Sequence, residues 1–132
     1  MKSRNTVPEL LLQDALTALE VSFNTHRQDL PGTPDISIDA ANIAVYVHGC
    51  YWHRHKDCAI RQIPVVKKME WAIKFNEIVR RDTKTKASIE AIDWTYFVSW
   101  ECRIKENALE EAIEIQKLMK RKSSKRRKEQ HL

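Results

Sequence analysis

Apolar positions along the chain switch between helical and strand spacing, and the switches mark the elements. Thr6-Val7-Pro8-Glu9 opens the first helix, with Thr6 as N-cap, Pro8 in the first turn and Glu9 completing a capping box. Leu11, Leu12, Ala15, Leu16 and Leu19 then give one apolar face through about Glu20. Val21 to Thr25 alternates like a short strand, and Leu30-Pro31-Gly32-Thr33-Pro34 is a turn. Asp35 to Ile38 forms a strand, Asp39 to Asn42 a tight turn, and Ile43 to Val47 a buried strand. Val65 to Asp93 is helical, in one or two pieces, with Trp71, Phe75 and Ile78 on one face and Ile89 and Ile92 on the later one. Trp94 to Trp100 is the last strand, and Asn107 to about Lys120 the last helix. This order predicts an α/β fold with a mixed central sheet flanked by helices.

Composition narrows the class. The 132 residues fit one domain with a modest core. No apolar run is long enough to span a membrane, and the N-terminus has no secretion pattern. Three cysteines cannot all pair within the chain, so a reducing, cytoplasmic setting with metal-bound thiolates is expected. Two glycines argue against a glycine-rich phosphate cradle. The net charge of +5 belongs to the tail: Lys120 to Leu132 holds seven basic residues and one acidic, and the rest of the chain 16 basic and 17 acidic. Residues 1–119 are therefore expected to be the folded domain and 120–132 a basic, solvated, flexible tail that could assist binding to a polyanion.

The densest chemistry lies in His48-Gly49-Cys50-Tyr51-Trp52-His53-Arg54-His55-Lys56-Asp57-Cys58, directly after a strand. Cys50, His55 and Cys58, closed by Cys102 after the last strand, suit a four-coordinate structural zinc site, and His53 lies within the same reach as His55. Such a site is shut, so it braces and does no chemistry. Asp35 opens a strand after a Pro-Gly-Thr-Pro turn, which would expose its carboxylate at a sheet end near Val47 and His48 of the next strand. A carboxylate, a backbone carbonyl and imidazoles converging there suit a hard cation such as Mg²⁺. His26, Glu101 and His131 stand alone and fit structural or solvated positions.

This layout resembles the PD-(D/E)xK nuclease fold, without the E-x-K half of that motif at Tyr46 to His48. It resembles one family that departs in this way, the very-short-patch mismatch-repair endonucleases. The matching segments are Arg4 to Glu9, Asp29 to Asp35, Val47 to His55, Arg80-Arg81-Asp82 and Val98 to Cys102, in family order. The resemblance implies that Asp35 binds Mg²⁺ beside the Val47 carbonyl, that His53 is the general base, and that His48 contacts the scissile phosphate. It implies that Glu9 orients a histidine or a metal-bound water, and it favours His55 over His53 in the zinc set. Tyr51 and Trp52, with Trp71 from the next helix, would wedge beside a T:G mismatch, where a weakened base step is cheaper to open. Trp71 fits a core stripe with Phe75 and Ile78 equally well.

The implied activity is strand-specific nicking of DNA beside T:G mismatches that arise from deaminated 5-methylcytosine. The implied associates are a cytosine-5 DNA methyltransferase and mismatch-repair proteins, and the implied form is a monomer acting at the nucleoid. With five residues before Thr6, the minor-groove clamp of some relatives is expected to be absent or shortened. Two rival readings keep the scaffold: a restriction-type or phage-defence nuclease cutting both strands of paired sites, and a catalytically idle mismatch-binding module.

Overall fold

The computed structural model describes residues 6–50 and 68–130, with the backbone alone for 68, 69, 71 and 123–130. Helix α1 spans Val7–Ala18, strands β1, β2 and β3 span Asn24–Thr25, Ile36–Ile38 and Ile43–His48, helix α2 spans Lys68–Ala91, β4 spans Thr95–Trp100 and α3 spans Glu101–Gln130. The strands form one sheet in the order β1-β2-β3-β4. β1–β2 and β2–β3 are antiparallel, and β3–β4 is parallel. The mixed α/β architecture is consistent with a restriction-endonuclease-like fold.

Alternation along the strands assigns the two faces. Ile36, Ile38, Ile43, Val45 and Val47 pack with Leu12, Ala15 and Leu16 of α1 and Ile104, Ala112 and Ile115 of α3. Ala44 and Tyr46 turn to the other face, against Leu30, Ile89, Trp94 and Tyr96. Burial pushes the Tyr46 and Tyr96 phenols far above their ordinary range, so both stay neutral. Tyr46 donates its hydroxyl proton to the Pro31 carbonyl at 2.6 Å, tying the Pro-Gly turn to the sheet.

Several boundaries differ from the sequence expectation for local reasons. The β1 region pairs over only two residues, because its register with β2 ends at Thr25↔Ile36 and His26 turns away in a left-handed conformation, φ 51°. The turn after β2 is a single 3₁₀ turn over Asp39–Ala41, closed by Asn42 in the left-handed region. Within 68–93 the helix is one piece, and Ile92 lies beyond its end, exposed, whereas Ile89 is fully buried. Asn107 does begin a helix: its non-helical backbone kinks α3, and its Oδ1 accepts the Glu110 N–H at 3.1 Å. A helical stretch from Glu101 precedes it. The backbone of α3 continues as helix across the 119/120 boundary to Gln130, and Lys122 donates to Asn42 O and Thr95 Oγ1 at 2.9 Å each. Those acceptors precede β3 and open β4, so the basic segment starts at the sheet end remote from His48.

The topology gathers the chemistry at that other end. Antiparallel pairing sets the start of β2 beside the end of β3, and parallel pairing sets the end of β4 there too, with His48 opposite Trp100. Gly32 holds the turn that leads into β2. Its φ is +70°, and a Cβ there would lie 2.5 Å from Thr85 Cγ2 of α2. We predict that Gly32→Ala costs about 2–3 kcal/mol, combining left-handed strain with the clash. Urea unfolding of Gly32→Ala, Thr85→Ser and the double variant checks this; full additivity would contradict a direct contact.

Candidate active site

Glu9, His26 and Asp35 come from three different segments, α1, the end of β1 and the start of β2, and meet at one point. One ligand atom from each lies within 4.8 Å of the others. The Glu9 side chain is fully buried and Asp35 is 3% exposed. Thr6 occupies the N-cap position of α1 without a side-chain capping bond, and Glu9 turns inward to His26, Oε2 to Nε2 at 3.1 Å. The capping-box reading of Glu9 therefore gives way to a site reading. The Asp35 carboxylate is likewise sunk, not exposed, because its Oδ2 accepts the Val47 N–H at 2.7 Å.

That bond follows from the turn chemistry. Extending the β2–β3 register by two residues sets Pro34 opposite Val47. The β2–β3 pairing ends at Ile36↔Val45, proline has no N–H to offer the Val47 carbonyl, and the Val47 N–H goes to the Asp35 carboxylate. The Val47 carbonyl shares the strand edge with its own N–H, on the side where Asp35 lies.

His26 takes a structural position rather than a solvated one. It stands alone in the sequence, seventeen positions from Glu9, yet the fold brings it against that carboxylate. Its N–H donates to the Asp35 carbonyl at 3.2 Å, extending the β1–β2 pairing by one residue before the chain swings away. Arg27 then clasps Asp29 through Nε and Nη2, at 2.7 and 2.6 Å, and Asp39 through Nη1 at 2.7 Å. The guanidinium holds the Asp29 carboxyl below the usual carboxylate range. This tether is in force at neutral pH and fades as acid protonates Asp29. The signal available in the sequence was His26-Arg27 beside Asp29, basic groups just ahead of the Pro-Gly turn.

His48 closes β3 on the α2 face. It is buried, edge-on to Trp100 with ring centroids 5.3 Å apart, and its Nε2 lies 3.9 Å from Asp82 Oδ1. Cys50 and Cys102, fifty-two positions apart, also meet: the Cys102 N–H donates to Cys50 Sγ at 3.4 Å. The Cys50 sulfur therefore sits at the first turn of α3, which carries Cys102. Tyr51, Trp52, His53, His55 and Cys58 lie outside the described residues, as does the side chain of Trp71. On the same helix as Trp71, Phe75 and Ile78 are buried as the core-stripe pattern expects. Glu101 forms an i,i+4 ion pair with Lys105 at 3.1 Å.

Two buried carboxylates and one imidazole meeting at a sheet end form a donor set that could hold a divalent cation. The profile of the DNA mismatch endonuclease Vsr family matches residues 1–60. The type II nicking enzyme V.XorIIP of Xanthomonas oryzae is 36% identical over 104 residues, covering 79% of this chain and 76% of that enzyme. The type II nicking enzyme V.HpaIIP of Haemophilus parainfluenzae is 32% identical over 117 residues, 88% and 82% of the two chains. The DNA mismatch endonuclease Vsr of Escherichia coli is 29% identical over 113 residues, 84% and 72%. The chain belongs to the Vsr family.

Two neighbouring buried carboxylates oppose each other in the metal-free protein. Asn at position 35 can still accept the Val47 N–H while removing one charge. Asp35→Asn is expected to stabilise the chelator-treated protein by about 1 kcal/mol, a trade of function for stability. Thermal unfolding in EDTA measures it, and a destabilised variant would contradict the repulsion.

Proposed function

We propose that the protein is a DNA endonuclease that nicks one strand beside a T:G mismatch, using a divalent cation held by Asp35. The convergence of Asp35 and Glu9 with His26 at one end of the sheet, in a chain of the Vsr family, carries this reading. The donor set fits a divalent ion: two buried carboxylates lie together, and a carbonyl lies on the same strand edge. Bound there, such a cation, Mg²⁺ in the first instance, would supply Lewis-acid stabilisation of the charge that develops on the phosphate.

The chain's own groups supply the remainder. Asp35, fixed by the Val47 N–H, presents its other oxygen in one orientation and loses little freedom on binding a cation. Glu9 is placed to accept a proton or hydrogen bond from a water at the site. His48, with Asp82 3.9 Å from its Nε2, would contact the phosphate or its leaving oxygen in this reading. His53 takes the water's proton in this reading, and Tyr51, Trp52 and Trp71 open the mispaired step. The names of the Xanthomonas and Haemophilus relatives as nicking enzymes support single-strand cleavage. The name of the Escherichia coli relative supports a mismatch substrate. A cytosine-5 DNA methyltransferase is the implied source of the mismatch, and the protein acts as a monomer.

The test is a labelled duplex carrying T:G or T:A at one position, incubated with Mg²⁺. Nicking of one strand of the T:G duplex is expected, with Asp35→Ala slower by at least about 100-fold. Equal cutting of paired DNA would remove the mismatch claim, and an undiminished Asp35→Ala rate would remove Asp35 from the chemistry.

Zinc held by Cys50, His55, Cys58 and Cys102 is the second part of the proposal. The meeting of Cys50 and Cys102 at the start of α3 fits it. Metal analysis of protein purified without added metal is expected to find about one zinc per chain. Cys102→Ser should lose the zinc and unfold at a lower temperature; retention of both would exclude the brace.

A further inference from the structure

We propose that His26 is a direct ligand of the cation that Asp35 and Glu9 hold, making the site a mixed oxygen–nitrogen one that binds Mn²⁺ more tightly than Mg²⁺. The inference rests on the reading of Asp35 as a cation ligand and adds the nitrogen donor. Its first support is spacing. Adjacent ligands of an octahedral ion, about 2.1–2.2 Å from the metal, are about 3.0–3.1 Å apart, and opposite ones about 4.3 Å. Glu9 Oε2 and His26 Nε2 are separated by 3.1 Å, and all three ligand atoms fall within 4.8 Å.

Its second support is the backbone. His26 adopts φ 51°, a region that a non-glycine residue enters at a cost, and does so between two restraints. Its N–H is bound to the Asp35 carbonyl, and Arg27 next to it is locked on Asp29 and Asp39. The conformation aims the ring at Glu9 when an extended continuation of β1 would carry it past. The third support is donor chemistry: an imidazole nitrogen adds little to the hold on Mg²⁺, which prefers oxygen, and more to that on a first-row transition ion.

Pulsed electron paramagnetic resonance of the Mn²⁺-loaded protein, without DNA, reads the bond directly. Nitrogen modulation is expected in the wild type and in His48→Ala, and should vanish in His26→Gln, whose amide can still hydrogen-bond to Glu9. Mn²⁺ affinity should fall at least about tenfold in His26→Gln, with Mg²⁺ affinity changed less than about threefold. Wild-type protein that binds no Mn²⁺, shows no modulation, or keeps it in His26→Gln overturns the proposal. If His26→Gln does not fold, His26→Asn makes the same comparison, and loss of modulation in His48→Ala alone would also overturn it. Nicking with Mg²⁺ in the absence of nitrogen coupling would sink this inference and leave the nuclease standing. Nitrogen coupling without nicking would do the reverse.

Discussion

Two carboxylates held out of water at one point are the constraint on which the rest of this molecule turns. Charges taken from water are costly unless something positive or strongly hydrogen-bonding meets them. Glu9 has His26, and Asp35 has the Val47 N–H. The two acids and the imidazole meet at one point, a donor set that suits a cation. The fold positions the two acids from opposite directions, one from the first turn of a helix and the other from the start of a strand. Nothing local in either segment needs the other.

The sheet topology sets the edge at which Asp35 enters. Once β2 and β3 pair antiparallel and β3 and β4 pair parallel, the start of one strand and the ends of two others share an edge. The pairing of β2 with β3 ends at Ile36↔Val45, and beyond it the Asp35 carboxylate accepts the Val47 N–H. Tyr46 and Gly32 fix the incoming turn, the first by a hydrogen bond to Pro31 and the second by close approach to Thr85. The basic segment begins at the far end, where Lys122 grips Asn42 and Thr95. Its charge can add affinity along a duplex without entering the chemistry.

Much of this was legible in the residues. Strand alternation placed β2, β3 and β4 within a residue or two of their ends, and Asn107 marked a helix start through its side-chain cap. Asp35 and Glu9 stood out through motif context. The errors share a cause: properties set by distant pairing leave no trace in local sequence. Glu9 fits a capping box by spacing, yet tertiary contact with His26 outweighs a local cap. His26 stands alone in the sequence, and its contact with Glu9 depends on the chain turning after the β1–β2 pairing. Ile92 matches the apolar period of α2, but the helix ends at Ala91 and leaves it exposed.

The most direct test of the acid pair as a cation site is anomalous diffraction from a crystal soaked in Mn²⁺. A single strong peak is expected between Glu9 and Asp35, about 2.1–2.3 Å from an oxygen of each. A map without density there, with the two carboxylates sharing a proton or bound only to protein donors, would contradict the account.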